Sequence, residues 1–393
     1  MCRFLKDDEV KKLRTEAELK KAVMFYDKND RWETVTASSI RAFGVTDYPL
    51  FNNKIRERYK ETVPARAFDE CVQDAGIFLT IPSEKRCYRT YATRYTAMES
   101  IYERSGSSCR MVRTLSSHGM VKALSAEERG SLIDRGWRTS SEEVKVLISD
   151  EKVSFVGSQK YVILPYKDGL RAMKDMLREY EAVIYRTGCI SHEYIMAEWY
   201  LESADTESHR LMLQELGLIT EITAVRYVVR FSSSNIGNSK MSARLFVSLE
   251  GEMIPVGKPK SVWHLSSKGV NCTDQLNDGN GCSISDFRYK LKSLGASLKE
   301  NEEMFEEMGN TWITYPETVL KKLLKLCPGI PKKIRDDIME HYRFRHPCTA
   351  VDLYFAVAQA QKKLDNRQMI IQVTEEIAQL QYVNYVRLDK QED

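Results

Sequence analysis

A stretch between Lys85 and Arg113 concentrates basic and aromatic side chains. It holds seven lysines or arginines against two glutamates, interleaved with four tyrosines. Arginine neutralises phosphate and releases its counterions, and a tyrosine ring offers a flat surface on which an unpaired base stacks. The pattern therefore predicts a surface for single-stranded nucleic acid. Its candidate residues are Lys85, Arg86, Tyr88, Arg89, Tyr91, Arg94 and Tyr95.

The same stretch has a second interpretation. Tyr91, Tyr95, Met98 and Tyr102 follow the spacing of one face of a helix. In that case the rings belong to a hydrophobic core, and the arginines surround it on the solvent side. The sequence leaves both interpretations open.

A second group of candidates surrounds a polar loop at residues 232–240, which is rich in serine, asparagine and glycine. Free backbone amides near Gly237, with Lys240 beside them, would hold a phosphate or another anion. Arginines on the polar face of the flanking strands would add positive charge. The alternative is a loop that only closes a hairpin, with solvated arginines on an open sheet face. The candidates are Arg226, Arg230, Asn235, Gly237, Asn238, Lys240 and Arg244.

Motifs of the common enzyme classes are absent. The sequence contains no G-x-S-x-G, Walker A, G-x-G-x-x-G or H-E-x-x-H pattern. The acidic pairs Asp150-Glu151 and Asp336-Asp337 lack the separated third carboxylate expected of a two-metal nuclease. We therefore assign no catalytic residue, no metal site and no cofactor. Four residues come nearest to a zinc site but have the wrong spacing, namely Cys327, His341, His346 and Cys348.

Composition describes an ordinary folded protein. Of 393 residues, 29% are charged and 42% are hydrophobic, and the net charge is +3. No apolar run approaches the roughly 20 residues needed to span a bilayer. The nine cysteines contain no C-x-x-C pair, which favours reduced thiols. We expect a cytoplasmic protein without membrane contact.

Hydrophobic periodicity predicts an α+β fold whose antiparallel sheet lies in the middle of the chain. Residues 225–231 and 241–249 alternate between apolar and polar side chains, which is typical of half-buried strands on either side of the polar loop. Residues 144–148, 152–155 and 161–164 are predicted to form a small meander.

Helical patterns dominate on both sides of this sheet. Residues 7–28 carry two apolar stripes at helical spacing, and Ser125 with Glu128 forms a capping box. Prolines 316 and 331 and Thr349 mark helix starts nearer the C-terminus. We predict a mainly helical, basic and aromatic region over residues 1–140, an antiparallel α+β core over 141–270 and a helical region over 271–393.

Four segments follow one another from Val144 onward in a characteristic order, namely 154–161, 234–239, 262–264 and 348–354. This order resembles the phage and plasmid family named domain of unknown function 932. The likeness covers about 240 residues and leaves residues 1–140 unmatched. It implies a gene of a tailed phage or mobile element and an α+β fold, and it carries over no catalytic residues.

The leading functional hypothesis is a non-enzymatic phage or mobile-element protein that binds single-stranded nucleic acid. The rival is a protein-interaction module acting on a host factor, or a self-assembling virion or scaffold component. A hydrolase or nuclease without a familiar motif is the third class. We also expect a homo-oligomer.

Overall fold

The computed structural model describes residues 6–7, 9–46, 49–83, 87–107, 124–215, 219, 222–236, 240–249, 252–264, 283–342, 348–364 and 367–390. These residues form two six-stranded sheets, each with its own hydrophobic core. The α+β class predicted from the sequence is confirmed.

One sheet, which we call the antiparallel sheet, is antiparallel throughout, in the spatial order β1, β8, β9, β10, β11, β12. Alternate residues of its central strands, such as Val229 and Leu245, are buried on one face and line the larger core. The strands at 225–231 and 241–249 are confirmed, since β10 and β11 pair from Val225 to Ser232. The strands are β1 (Lys11–Leu13), β8 (Ala182–Ile190), β9 (Ile195–Glu202), β10 (Val225–Ser233), β11 (Met241–Leu249) and β12 (Glu252–Val262).

Helices pack around the larger core because each supplies an apolar stripe. Leu19, Met173, Phe305, Leu320 and Tyr354 come from different helices and are all buried in the same core. The helices are α1 (Glu16–Asn29), α6 (Tyr166–Leu177), α7 (Ala204–Glu215), α8 (Ile284–Leu291), α9 (Ala296–Asn310), α10 (Pro316–Leu326), α11 (Lys332–His341), α12 (Ala350–Ala358), α13 (Arg367–Gln379) and α14 (Tyr385–Leu388). A two-stranded pair, β13 (Trp312–Ile313) and β14 (Cys348–Thr349), joins two of the loops.

The other sheet, which we call the mixed sheet, has the spatial order β2, β6, β7, β5, β4, β3. Strands β5 and β7 are parallel, and the other neighbours are antiparallel. Of the predicted meander, 144–148 and 152–155 are confirmed as β6 and β7, whereas 161–164 is not a strand. The strands are β2 (Arg31–Thr36), β3 (Arg41–Gly44), β4 (Ile77–Pro82), β5 (Tyr88–Thr93), β6 (Glu143–Ser149) and β7 (Lys152–Ser158).

The helices α2 (Pro49–Tyr59), α3 (Ala65–Gln73), α4 (Met98–Arg104) and α5 (Ala126–Arg138) accompany the mixed sheet. The predicted capping box is confirmed, because Ser125 and Glu128 bond each other's backbone at the start of α5. Helix α5 lies so close to β3 that a Cβ on Gly44 would stand 1.7 Å from the Ala126 carbonyl oxygen. Only glycine permits that approach.

Residues 1–140 therefore contribute strands β1 to β5 as well as helices, which the helical pattern did not foresee. β1 and β3 are short and β4 is almost continuously buried rather than alternating, so period-two patterning is weak there. Residues 11–13, predicted as part of a helix, instead pair with β8 at the sheet edge.

The two sheets meet at a polar contact that we call the sheet junction. Asp30, at the C-terminal end of α1, accepts hydrogen bonds from Ser149 Oγ at 2.7 Å and from Asn235 Nδ2 at 3.4 Å. Burial raises the pKa of Asp30 to about 6. The Tyr161 ring stacks on His264 at 5.2 Å, and its hydroxyl donates to the Asn235 carbonyl at 2.9 Å. The junction joins segments from both sheets through specific polar groups.

In the part of the chain that the structure describes, no helix is both long and apolar enough to cross a bilayer.

Candidate anion-binding face

The face of the antiparallel sheet that points away from the large core carries a row of charged residues. In the ladder, Arg230 on β10 lies directly between Glu198 on β9 and Arg244 on β11. Arg186 lies at a bulge in β8 beside Thr187, which faces Glu198. Since side chains alternate along a strand, Arg226 shares the face with Arg230. We call this surface the arginine face; its residues are Arg186, Glu198, Tyr200, Arg226, Arg230 and Arg244.

Glu198 is the anchor of the row. Its side chain is 2% exposed, and it accepts from Arg230 Nε at 2.8 Å and from Arg186 Nη1. Burial alone would raise the pKa of Glu198, but the two guanidiniums outweigh burial and hold that pKa below its usual range. Arg186 Nε also donates to the Tyr200 hydroxyl at 3.1 Å. The carboxylate thus fixes two guanidiniums side by side at the sheet surface.

Arg244 continues the row beneath helix α13. It is 2% exposed, and its Nη1 donates to Glu375 on α13 at 2.7 Å. Its Nε and Nη2 are buried and have no hydrogen-bond partner among the described residues. Arg230 and Arg244 are register partners on neighbouring strands, where like charges repel, and each of them is paired with a carboxylate, Glu198 or Glu375.

Aromatic rings lie under these cations. The Arg230 guanidinium is 4.6 Å from the Phe246 ring centroid, and that of Arg226 is 5.0 Å from the Tyr200 centroid. Arg186 approaches the same Tyr200 ring at 5.8 Å. Cation–π contact attracts a guanidinium to the face of an aromatic ring. The surface therefore combines aromatic rings with positive charge.

A cleft of about 690 Å³ opens on this face. Lys12 and Arg14 stand at the β1 side, and Met253 on β12 and Ile370 on α13 stand at the other. Four cationic side chains face one carboxylate in the lining, so the cleft is strongly positive. Its lining residues are Lys12, Arg14, Arg186, Thr187, Met196, Glu198, Arg230, Met253 and Ile370.

The basic and aromatic stretch predicted from the sequence belongs to the mixed sheet instead. Arg89 donates to Glu151 at 2.7 Å. Arg94 is 2% exposed and donates to Asp7 at 2.5 Å. Tyr91 is buried, with its hydroxyl accepting from Arg31 at 2.5 Å. Tyr88 is exposed, and Lys85 and Arg86 lie outside the described residues.

The single helix offered as the alternative for this stretch is wrong. Tyr91 lies in β5, and α4 begins only at Met98. Met98 and Tyr102 are nevertheless buried in the smaller core, as that interpretation expected, while Tyr95 is 42% exposed. This stretch is largely structural in the segments that the structure describes.

The second predicted group is divided. Arg226, Arg230 and Arg244 share the arginine face, as the alternation of β10 and β11 indicated. Asn235 instead bonds Asp30 at the sheet junction. Lys240 lies 3.7 Å from the Trp263 ring centroid, and burial lowers its pKa. Gly237 and Asn238, on which the predicted amide site depended, lie outside the described residues.

Four charged lining residues were missed by the sequence analysis, namely Lys12, Arg14, Arg186 and Glu198. Lys12 on β1 and Arg14 just after it precede Arg186 on β8 and Glu198 on β9 by more than a hundred residues of sequence. The alternation of residues 195–201, which puts Glu198 opposite the apolar side chains, is the signal that would have found the anchor.

Among the described residues, no cluster of histidine, cysteine, aspartate or glutamate could hold a metal ion.

Comparison with known proteins gives no relative: no family model, no curated protein and no solved structure matches this sequence. The expected membership of the domain of unknown function 932 family is wrong, because no family model matches. The expectation of a phage or mobile-element origin came from that resemblance and loses its basis with it.

Proposed function

We propose that this protein binds single-stranded nucleic acid on the arginine face. The observation that carries the proposal is the convergence of cations from β1, β8 and β10 on one cleft around a single buried carboxylate. Phosphate contacts supply most of the affinity of such surfaces, and they require cations at the surface rather than in closed ion pairs. Lys12 and Arg14 are exposed and meet that requirement.

Single strands suit this face better than duplexes. The surface is the broad side of a sheet, whereas direct readout of a duplex needs an element that enters a groove. Unpaired bases stack on guanidinium planes and on aromatic rings. Arg226, exposed and lying over Tyr200, presents such a plane.

The test is the affinity of the purified protein for a labelled single-stranded oligonucleotide, measured by fluorescence anisotropy over a range of salt concentrations. The three exposed cations Lys12, Arg14 and Arg226 in contact with phosphates predict a log–log slope of about −2, because each contact on a single strand contributes roughly −0.7. Binding should be weaker for a duplex of the same sequence. A flat salt response, or no binding at low salt, would refute the proposal.

Two double variants locate the site. Lys12→Ala with Arg14→Ala removes two exposed charges at the cleft, and we expect at least about a tenfold loss of affinity at low salt. The matched control is Lys20→Ala with Lys21→Ala, which removes two exposed lysines from α1 outside the cleft lining. Equal losses in both variants would mean that only net charge matters.

Binding of a protein partner and self-assembly remain predictions from the sequence. The same measurements test them indirectly. If the protein does not bind nucleic acid at low salt, a role in protein binding or self-assembly is favoured.

A further inference from the structure

The cleft is a local concavity of the sheet face. Lys12 on β1 and Arg14 just after it contribute cations to its lining, and α13 contributes Ile370. Its volume of about 690 Å³ falls in the range typical of sites for one small ligand. A single nucleotide unit is a ligand of that size.

The lining is divided between charge and apolar surface. The cationic part consists of Lys12, Arg14, Arg186 and Arg230, and the apolar part consists of Met196, Met253 and Ile370. A ligand that satisfies both parts has an anionic group joined to an apolar or aromatic body. Methionine packs well against such bodies because it is flexible and polarizable.

The charge of the cationic part favours a dianion over a monoanion. Glu198 accepts from Arg230 Nε and Arg186 Nη1, and Tyr200 accepts from Arg186 Nε, so one carboxylate offsets only part of the charge of the four cations in the lining. Arg244 adds a positive charge beside Arg230 on the neighbouring strand, and it is paired with the half-exposed Glu375. Buried charges are screened weakly, so a second negative charge on the ligand gains substantially.

We infer that the cleft binds a terminal phosphate monoester of a nucleotide, either at the end of a nucleic-acid strand or on a free mononucleotide. The phosphate lies against Arg186 and Arg230, with Lys12 and Arg14 beside it, and the nucleoside lies against Met196, Met253 and Ile370. Glu198 is a positioning residue that holds the two guanidiniums in place. This inference rests on the proposed function in using the same face, but it makes a separate claim about the ligand.

The experiment compares three labelled 12-nucleotide oligonucleotides of one sequence, with a 5′-phosphate, a 3′-phosphate or hydroxyl groups at both ends. We expect at least about a tenfold tighter dissociation constant for one phosphorylated form. Adenosine monophosphate should compete with that form, whereas adenosine at the same concentration should not. Inorganic sulfate at matched ionic strength controls for salt.

Arg186→Ala is expected to abolish the preference for the phosphorylated end, and Arg186→Lys to restore part of it. Since Arg186→Ala also loosens Glu198, the exposed pair Lys12→Ala with Arg14→Ala provides a second variant that does not depend on buried contacts. Circular dichroism verifies that each variant is folded. Both variants should bind the three oligonucleotides with nearly equal affinity.

The outcomes separate the two claims. Equal affinity of wild type for all three oligonucleotides, without competition by adenosine monophosphate, overturns the inference and leaves the proposed function standing. Competition and a phosphate preference that persist in both variants also overturn it, because the phosphate then binds elsewhere. Binding of adenosine monophosphate alone would support the inference for a free nucleotide and refute the proposed function.

Discussion

The antiparallel sheet and the mixed sheet both carry arginines next to aromatic rings, but they use them differently. On the mixed sheet, Arg89 pairs with Glu151 and Arg94 pairs with Asp7, so that each of these two arginines has a carboxylate of its own. On the antiparallel sheet, two arginines share one carboxylate, Glu198, and Lys12 and Arg14 line the same cleft without an ion-pair partner among the described residues. The difference teaches that clustering along the sequence and clustering in space are separate properties. Strand register, which brings distant residues into one row, decides where positive charge accumulates.

The largest effect we expect is on stability, from Glu198→Gln. This change leaves Arg186 and Arg230 without their shared carboxylate, and breaking a buried ion pair from one side costs about 3–5 kcal/mol of the free energy of unfolding. Glu151→Gln on the mixed sheet breaks an ion pair whose partners are 37% and 42% exposed, and exposed pairs contribute only about 0–1 kcal/mol. Urea unfolding followed by circular dichroism measures both values. Similar losses in the two variants would show that the two regions hold their arginines in the same way.

A smaller effect concerns the junction between the regions. The pKa of Asp30 is raised to about 6, above the ordinary value of 3.8. The folded protein therefore binds the Asp30 proton more tightly than the unfolded chain does. The stability that this proton contributes is fully present below pH 4 and is lost as the pH rises through 6. Asp30→Asn removes this loss, and we expect the free energy of unfolding to rise by about 1–2 kcal/mol at pH 7 and not to change at pH 4. The expected gain is modest because the Asp30 side chain is partly exposed to solvent.

Denaturant titrations of wild type and Asp30→Asn at pH 4, 5, 6 and 7 test this expectation. Burial lowers the pKa of His192 and of His264 to about 4, so they act in the opposite direction over the same range. Both histidines are present in both proteins, and their contribution cancels in the difference. A variant that is less stable than wild type at pH 7 would contradict the assigned role of Asp30.

The smallest effect is expected for Tyr91→Phe. The hydroxyl of Tyr91 accepts one hydrogen bond from Arg31, whose side chain is 46% exposed. Its loss should cost about 1 kcal/mol and leave the affinity for single-stranded oligonucleotide unchanged. Thermal unfolding and anisotropy measure the two quantities. If Tyr91→Phe lowers the affinity for oligonucleotide without lowering the stability, the mixed sheet takes part in binding.

Local patterns were sufficient for the strands of one hairpin and for helix starts. The alternation around Val229 and Leu245 predicted β10 and β11, and the Ser125 capping box predicted the start of α5. The mixed sheet depends on pairing between distant segments, such as β2 with β6 and β5 with β7. No local periodicity encodes such partners.

The sequence predicted only part of the candidate site, because its other residues also depend on pairing between distant segments. Arg226, Arg230 and Arg244 follow from the alternation of two strands, whereas the assignment of Glu198, Arg186 and Lys12 to the same cleft requires the order of strands β1, β8 and β9. Arg94 illustrates the opposite failure. Its neighbours in sequence indicated a basic surface, but Asp7, eighty-seven residues earlier, pairs with it and buries it.

The most direct test compares charge reversal on the two sheets in one binding assay. Arg226 is exposed on the arginine face, and Arg89 lies on the mixed sheet, so Arg226→Glu and Arg89→Glu make the same change in net charge. For single-stranded oligonucleotide at low salt, we predict that Arg226→Glu raises the dissociation constant by at least about tenfold and Arg89→Glu by less than about twofold. Equal effects, or a larger effect of Arg89→Glu, would contradict the assignment of binding to the antiparallel sheet.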